Sequence, residues 1–201
     1  MNKRRWIQLV AVAVMALAGG AWWALGNKEG GHTTVLPPLA QRPTGGDFTL
    51  QTADGALSLH DLRGKVVLLY FGYTNCPDVC PASISAGAQA LTQLSAQERA
   101  NTRLLFVSVD PARDTPAKLK EYAAYFHPEM IGATGTPEQI AAVAGAYGAS
   151  YARQPARADG GYAVDHSAQT YVIAPDGRLA EEVEYGASAA KVIQAVRRHL
   201  P

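Results

Sequence analysis

Two apolar runs, Val66-Val67-Leu68-Leu69-Tyr70-Phe71 and Leu104-Leu105-Phe106-Val107-Ser108-Val109, most limit how this chain can fold. A strand with one wet face alternates apolar and polar residues. A run apolar at nearly every position suits a strand covered on both sides. After each run, apolar residues recur at helical spacing: Ile84, Ala88, Leu91 and Leu94 after the first, Leu119, Tyr122 and Phe126 after the second. Buried strands alternating with amphipathic helices predict an α/β sheet with helices on both faces.

The flanking sequence completes that layer. Phe48–Gln51 and Leu57–Leu59 alternate around Asp54-Gly55, which predicts an extra β-hairpin at the start of the domain. Gly72 to Val79 is rich in turn formers, and Pro81 sits where a first helical turn tolerates it. Asp114-Thr115-Pro116 and Thr136-Pro137 each offer a capping residue and a helix-starting proline, the second helix running toward Tyr147. Thr170–Ala174, a Pro175-Asp176-Gly177 turn and Leu179–Glu184 predict a second hairpin, followed by a helix from about Ser188 to His199. The order matches a thioredoxin-like core with an added N-terminal hairpin.

The first residues set the compartment. Lys3, Arg4 and Arg5 precede an uncharged run from Trp6 to Leu25. As a helix rising ~1.5 Å per residue, that run spans the ~30 Å hydrocarbon core of a bilayer. The basic cluster stays cytoplasmic, which sends the rest outward, with Trp22 and Trp23 at the far interface. Ala16-Leu17-Ala18 also fits a signal-peptide cleavage site, and either reading exports the domain. The expected division is a transmembrane anchor or uncleaved signal over 1–25, a Gly/Pro-rich linker over 26–46 and the thioredoxin-like domain over 47–201. The expected location is the inner membrane, single-pass, with the C-terminal domain on the periplasmic side. A formal net charge of +1 without a basic stripe argues against nucleic acid as a partner.

The chain has two cysteines, in Cys76-Pro77-Asp78-Val79-Cys80, between a buried strand and a helix start. Unpaired N–H groups and the helix dipole favour a thiolate there, the form that both attacks disulfides and binds soft metals. A disulfide closing so short a loop stabilises by only ~2 kcal/mol, which argues against a purely structural bridge. Of the five histidines, His32 lies in the linker, and His60, His127 and His199 have surface or structural roles. His166 stands just before the strand at Thr170, in a loop that such a fold places beside the cysteine-bearing helix start. Two thiolates and one imidazole suit copper(I), whereas zinc would want a fourth ligand.

Three blocks together resemble the Sco/SenC family: Tyr70-Phe71-Gly72-Tyr73-Thr74-Asn75-Cys76-Pro77-Asp78-Val79-Cys80-Pro81, Phe106–Pro111 with Arg113-Asp114-Thr115-Pro116, and Val164-Asp165-His166-Ser167. The resemblance runs from Asp47 to the C-terminus. It implies a thioredoxin-like fold, a copper ion, Cu(I) or Cu(II), held by Cys76, Cys80 and His166, and a role in building the dinuclear copper centre of cytochrome c oxidase. The implied partners are that oxidase's copper-bearing subunit or another copper carrier, and the membrane; a small-molecule substrate is not expected. The competing function is a thiol–disulfide reductase or redox sensor working through Cys76 and Cys80. A three-residue spacer, no proline in Val164–Gln169 and a ligand-capable histidine there favour the metal. Cys76, outside the helix, is expected to be the more reactive thiol, and Asp78 to tune the site's charge. Asp110, Arg113 and Asp114 read as strand-end and helix-start residues. Tyr73, Tyr162 and Arg153–Gly161 are the expected rim of a docking surface.

Overall fold

The two apolar runs are adjacent parallel strands at the centre of a five-stranded sheet. The computed structural model describes residues 43–201; the expected membrane segment, most of the expected linker and His32 lie outside the described residues. Among the described residues, no helix is long and apolar enough to cross a membrane.

In chain order the elements are β1 Thr49–Thr52, β2 Gly55–Ser58, β3 Val66–Gly72, α1 Val79–Gln93, α2 Ala96–Ala100, β4 Thr102–Ser108, α3 Pro116–Phe126, β5 Met130–Ala133, α4 Pro137–Ala146, β6 Tyr151–Arg153, β7 Val164–His166, β8 Thr170–Ile173, β9 Leu179–Val183 and α5 Ala189–His199. The sheet order is β5-β4-β3-β8-β9. β3, β4 and β5 run parallel, β8 pairs antiparallel with β3, and β9 pairs antiparallel with β8. Every residue of β3 is buried, as its composition demands. This is the thioredoxin-like arrangement, with β1 and β2 as the extra hairpin.

Side-chain alternation on β3 sorts the helices. Tyr70 stacks on Phe106, which meets Tyr122 of α3. The same face takes α1, whose buried side chains include Cys80 and Ile84. Phe71 points the other way, into Tyr147 at the end of α4 and Tyr171 of β8. Helices therefore cover both faces, as the patterning requires.

Several local expectations shift. Leu59 does not continue β2; it opens a 3₁₀ turn, Leu59–Leu62, whose start Ser58 and Asp61 close as a capping box. Val79 is the first residue of α1 rather than loop. The strand β5 is only four residues long, too short for its alternation to register. It packs so tightly on α3 that a Cβ at Gly132 would lie 2.6 Å from the Leu119 carbonyl oxygen. His166 is in β7 rather than a loop, opposite Tyr151 of β6. Ahead of β1, Leu179 N–H donates to Thr44 O (3.0 Å) and Gly45 N–H to Ala146 O (3.2 Å).

Candidate metal centre

Cys76 lies in the loop leaving β3, Cys80 in the first turn of α1, and His166 at the end of β7. The loop is held from outside. Asp114 is 1% exposed and accepts from Thr74 N–H (2.8 Å), Thr74 Oγ1 (2.5 Å), Ser108 Oγ (2.7 Å) and Lys118 Nζ (3.1 Å). Burial works to raise the Asp114 pKa, but the bonds from Thr74, Ser108 and Lys118 together hold it below the ordinary carboxylate value. Asp114 is thus a buried latch on the residue two before Cys76. The capping residue expected in Asp114-Thr115-Pro116 is Thr115, whose hydroxyl accepts from Lys118 N–H.

The donor atoms of Cys76, Cys80 and His166 all lie within 4.8 Å of one another. His166 Nε2 is 3.2 Å from Cys80 Sγ and 3.8 Å from Cys76 Sγ. His166 Nδ1 is 3.0 Å from the Ser167 carbonyl, which can only accept, so Nδ1 carries the proton. The Nε2 lone pair is left facing the sulfurs. Donors bonded to one ion at ~2.0–2.3 Å sit roughly 3.5–4.5 Å apart, so this set closes on a single ion with small adjustments. The sequence-predicted ligands are brought together. His60, His127 and His199 are not: His127 Nδ1 accepts from Glu129 N–H and His199 pairs with Glu181.

Close packing defines the pocket behind the sulfurs. Cys80 is fully buried and Cys76 is 8% exposed. A Cβ at Gly72 would lie 2.6 Å from Cys80 Sγ and 2.8 Å from the Phe106 ring, so only glycine leaves room for the thiol. The rings of Tyr70 and Tyr73 stand edge-on to the imidazole, 6.0 and 5.9 Å away. Cys80 N–H, at the helix start, reaches toward Cys76 Sγ at 3.5 Å. For Cys80 itself burial pushes the thiol pKa far up, the opposite of the expectation from its helix-start position. A metal must therefore displace that proton.

Outward, an open cleft of ≈ 300 Å³ is lined by Tyr73, Cys76, Asp78, Val79, Asp165 and His166, among others. Asp78 is exposed and caps nothing with its side chain, which leaves its carboxylate beside the cysteines. Tyr73, expected on the rim, is 3% exposed and forms the floor instead. Sequence reasoning missed Gly72, Tyr70 and Asp114. All three lie inside the quoted motif blocks, but their contacts come from other strands and helices.

A family model described as SCO1/SenC matches residues 37–201. The chain belongs to the SCO1/SenC family. Over 197 residues it is 41% identical to the mitochondrial SCO2 homolog of Bos taurus, covering 96% of this chain and 74% of that protein. The mitochondrial SCO2 homolog of Homo sapiens is 37% identical over 187 residues, with 90% and 70% covered. Among solved structures, Arabidopsis thaliana ScoI with copper bound superposes with a TM-score of 0.72 at 34% identity, covering 78% of this chain and 98% of that one. Yeast Sco1 with copper bound gives 0.71 at 32% identity, covering 78% and 88%. Membership in the SCO1/SenC family accounts for the fold and for the order of the three motif blocks.

Proposed function

We propose that this protein is a copper metallochaperone. Cys76, Cys80 and His166 take one copper ion as cargo, and the protein hands it to the dinuclear copper site of cytochrome c oxidase. The observation that carries this reading is the convergence of two thiols and one imidazole on a single point, with His166 Nδ1 against the Ser167 carbonyl and Nε2 toward the sulfurs. The donor set is soft and low-coordinate, which suits copper(I) and leaves the ion open to capture by a partner's thiols. Two solved structures similar to this chain are described as having copper bound. Another, 25% identical with a TM-score of 0.62, is described as a member of the Sco family of cytochrome c oxidase assembly proteins.

In this reading residues 47–201 form the copper-binding domain, 26–46 the linker and 1–25 the anchor, on the periplasmic side of an inner membrane. The cluster Lys3–Arg5 before the uncharged run Trp6–Leu25 supports that topology. The chain's own residues do the chemistry of holding: Ser167 fixes the imidazole's proton, Asp114 fixes the cysteine loop, and Gly72 admits the second thiol. Cys76 and Cys80 would hold copper as thiolates, releasing their protons to solvent, and His166 through its Nε2 lone pair.

The test is copper(I) titration of the reduced full chain against Cys76→Ser, Cys80→Ser and His166→Ala. Copper-loaded chain is then mixed with the metal-free copper-bearing oxidase subunit. One equivalent bound, weakened in every variant and transferred to the subunit, supports the reading. Both cysteines are free thiols, with Cys76 Sγ 3.5 Å from Cys80 N–H, so a dithiol–disulfide cycle is the second reading. Weak copper binding with a readily cycled Cys76–Cys80 disulfide would favour it.

A further inference from the structure

Among the described residues, His166 stands on a hairpin that shares no strand pairing with the central sheet; there β6 and β7 pair with each other alone. Hydrogen bonds of the sheet therefore do not hold the imidazole against the sulfurs. An imidazole free to swing away must be ordered at each binding event, which weakens affinity. Something else must grip the hairpin.

The grip comes from the turn between β4 and α3. Arg113 donates from Nη1 to the Tyr162 carbonyl (2.8 Å) and from Nε to the Asp110 carboxylate. Tyr162 donates its hydroxyl to Asp110 Oδ1 (2.8 Å). The Arg113 guanidinium lies 3.6 Å from the Tyr162 ring centroid, and the Arg153 guanidinium 3.7 Å from it. Two cations so close to one ring cannot share a face, so Tyr162 is sandwiched between them. Arg153 belongs to β6 and Tyr162 leads into β7, so the sandwich locks both strands of the hairpin to Arg113. Asp110 is 5% exposed, so its charge is held by these partners rather than by water. The same turn supplies Asp114 to Thr74 on the cysteine loop. Residues 110–114 thus hold both halves of the donor set, although none of them belongs to the Cys76–Cys80–His166 group.

We propose that Arg113 is a positioning residue for His166: through Tyr162 and Asp110 it holds the β6–β7 hairpin closed and so sets how tightly copper is kept. The inference rests on the copper reading above. Breaking the clasp lets His166 leave first, with the ion still on two sulfurs, which is the arrangement a partner's thiols attack.

The test has two arms on the full chain. In the metal-free protein, Arg113→Ala is expected to speed hydrogen exchange at the Val164–His166 amides while those of β3 and β4 keep wild-type protection. Unchanged exchange in the hairpin overturns the proposal, whatever the metal does. In the second arm, copper(I) affinity is measured by competition with bicinchoninate. Arg113→Ala is expected to weaken it roughly 10–100-fold, as loss of a ligand-orienting partner does. In a His166→Ala background the same change is expected to cost nothing further, because its effect acts through the imidazole. Equal losses in both backgrounds, or no loss in either, overturn the proposal. Arg113→Lys keeps the charge but lacks the planar fork, so it is expected to recover little. Should Arg113→Ala not fold, Tyr162→Phe removes only the bond to Asp110 and should give intermediate exchange; wild-type exchange in that variant overturns the proposal. If His166→Ala alone leaves copper affinity unchanged, the copper reading fails, and the exchange arm still decides the clasp.

Discussion

Cys80 Sγ lies 3.2 Å from His166 Nε2 although 86 residues of chain separate them. In the metal-free protein this contact is a thiol donating to an imidazole whose other nitrogen is committed to Ser167. It brings the helix-borne sulfur and the hairpin-borne nitrogen to one point before any ion arrives, which lowers the ordering cost of binding.

The contact depends on a missing side chain. Gly72→Ala would place a Cβ against both Cys80 Sγ and Phe106. The thiol, the more mobile neighbour, is expected to rotate away from His166. Chemical denaturation should show a loss of about 1–3 kcal/mol, the usual cost of overpacking, and copper affinity should fall with it. An unchanged affinity would mean that Cys80 has another way to reach the ion.

Asp114 gives a prediction with a pH signature. Its folded-state pKa is depressed, so its stabilisation is present above the unfolded value of ~3.9 and is lost as pH falls through the folded value. Asp114→Asn removes the charge facing Lys118 and sets an amide donor among hydroxyl and N–H donors. It should cost about 2–4 kcal/mol at neutral pH. That gap should begin to narrow as pH drops below about 4, where the unfolded chain protonates, and should close once pH falls below the depressed folded value. A gap constant from pH 7 to pH 3 would show that the charge is not what stabilises the loop.

The two thiols should differ in reactivity. Cys76 is 8% exposed on the cleft, while Cys80 is fully buried and its thiol is pushed up in pKa. Alkylation of the reduced, metal-free chain, followed by mass spectrometry, should label Cys76 first. Equal rates, or Cys80 first, would contradict this ordering.

The α/β layer was legible because both central strands are buried on both faces, so their composition carries the signal without help from neighbours. The clustering of Cys76, Cys80 and His166 was legible for a different reason: cysteines and a ligand-capable histidine are few, and their motif blocks are distinctive. The rest depends on contacts distant in sequence. Asp114 reads as a helix-start residue from its neighbours Thr115 and Pro116, yet it holds Thr74, 40 residues away. Arg113 reads as the partner of a carboxylate, which Asp110 supplies, but its stacking on Tyr162, 49 residues on, has no local signal. The short strands β5, β6 and β7, three or four residues each, are too brief for a period of two to stand out. Their places are set by packing rather than by local preference.

X-ray absorption at the copper edge, on the full chain loaded with one equivalent of copper(I), tests the central claim most directly. The three-donor site predicts two sulfur neighbours and one nitrogen in wild type, with the nitrogen lost in His166→Ala and a sulfur lost in Cys80→Ser. A wild-type spectrum with sulfur neighbours only, or a nitrogen neighbour that survives in His166→Ala, would contradict it.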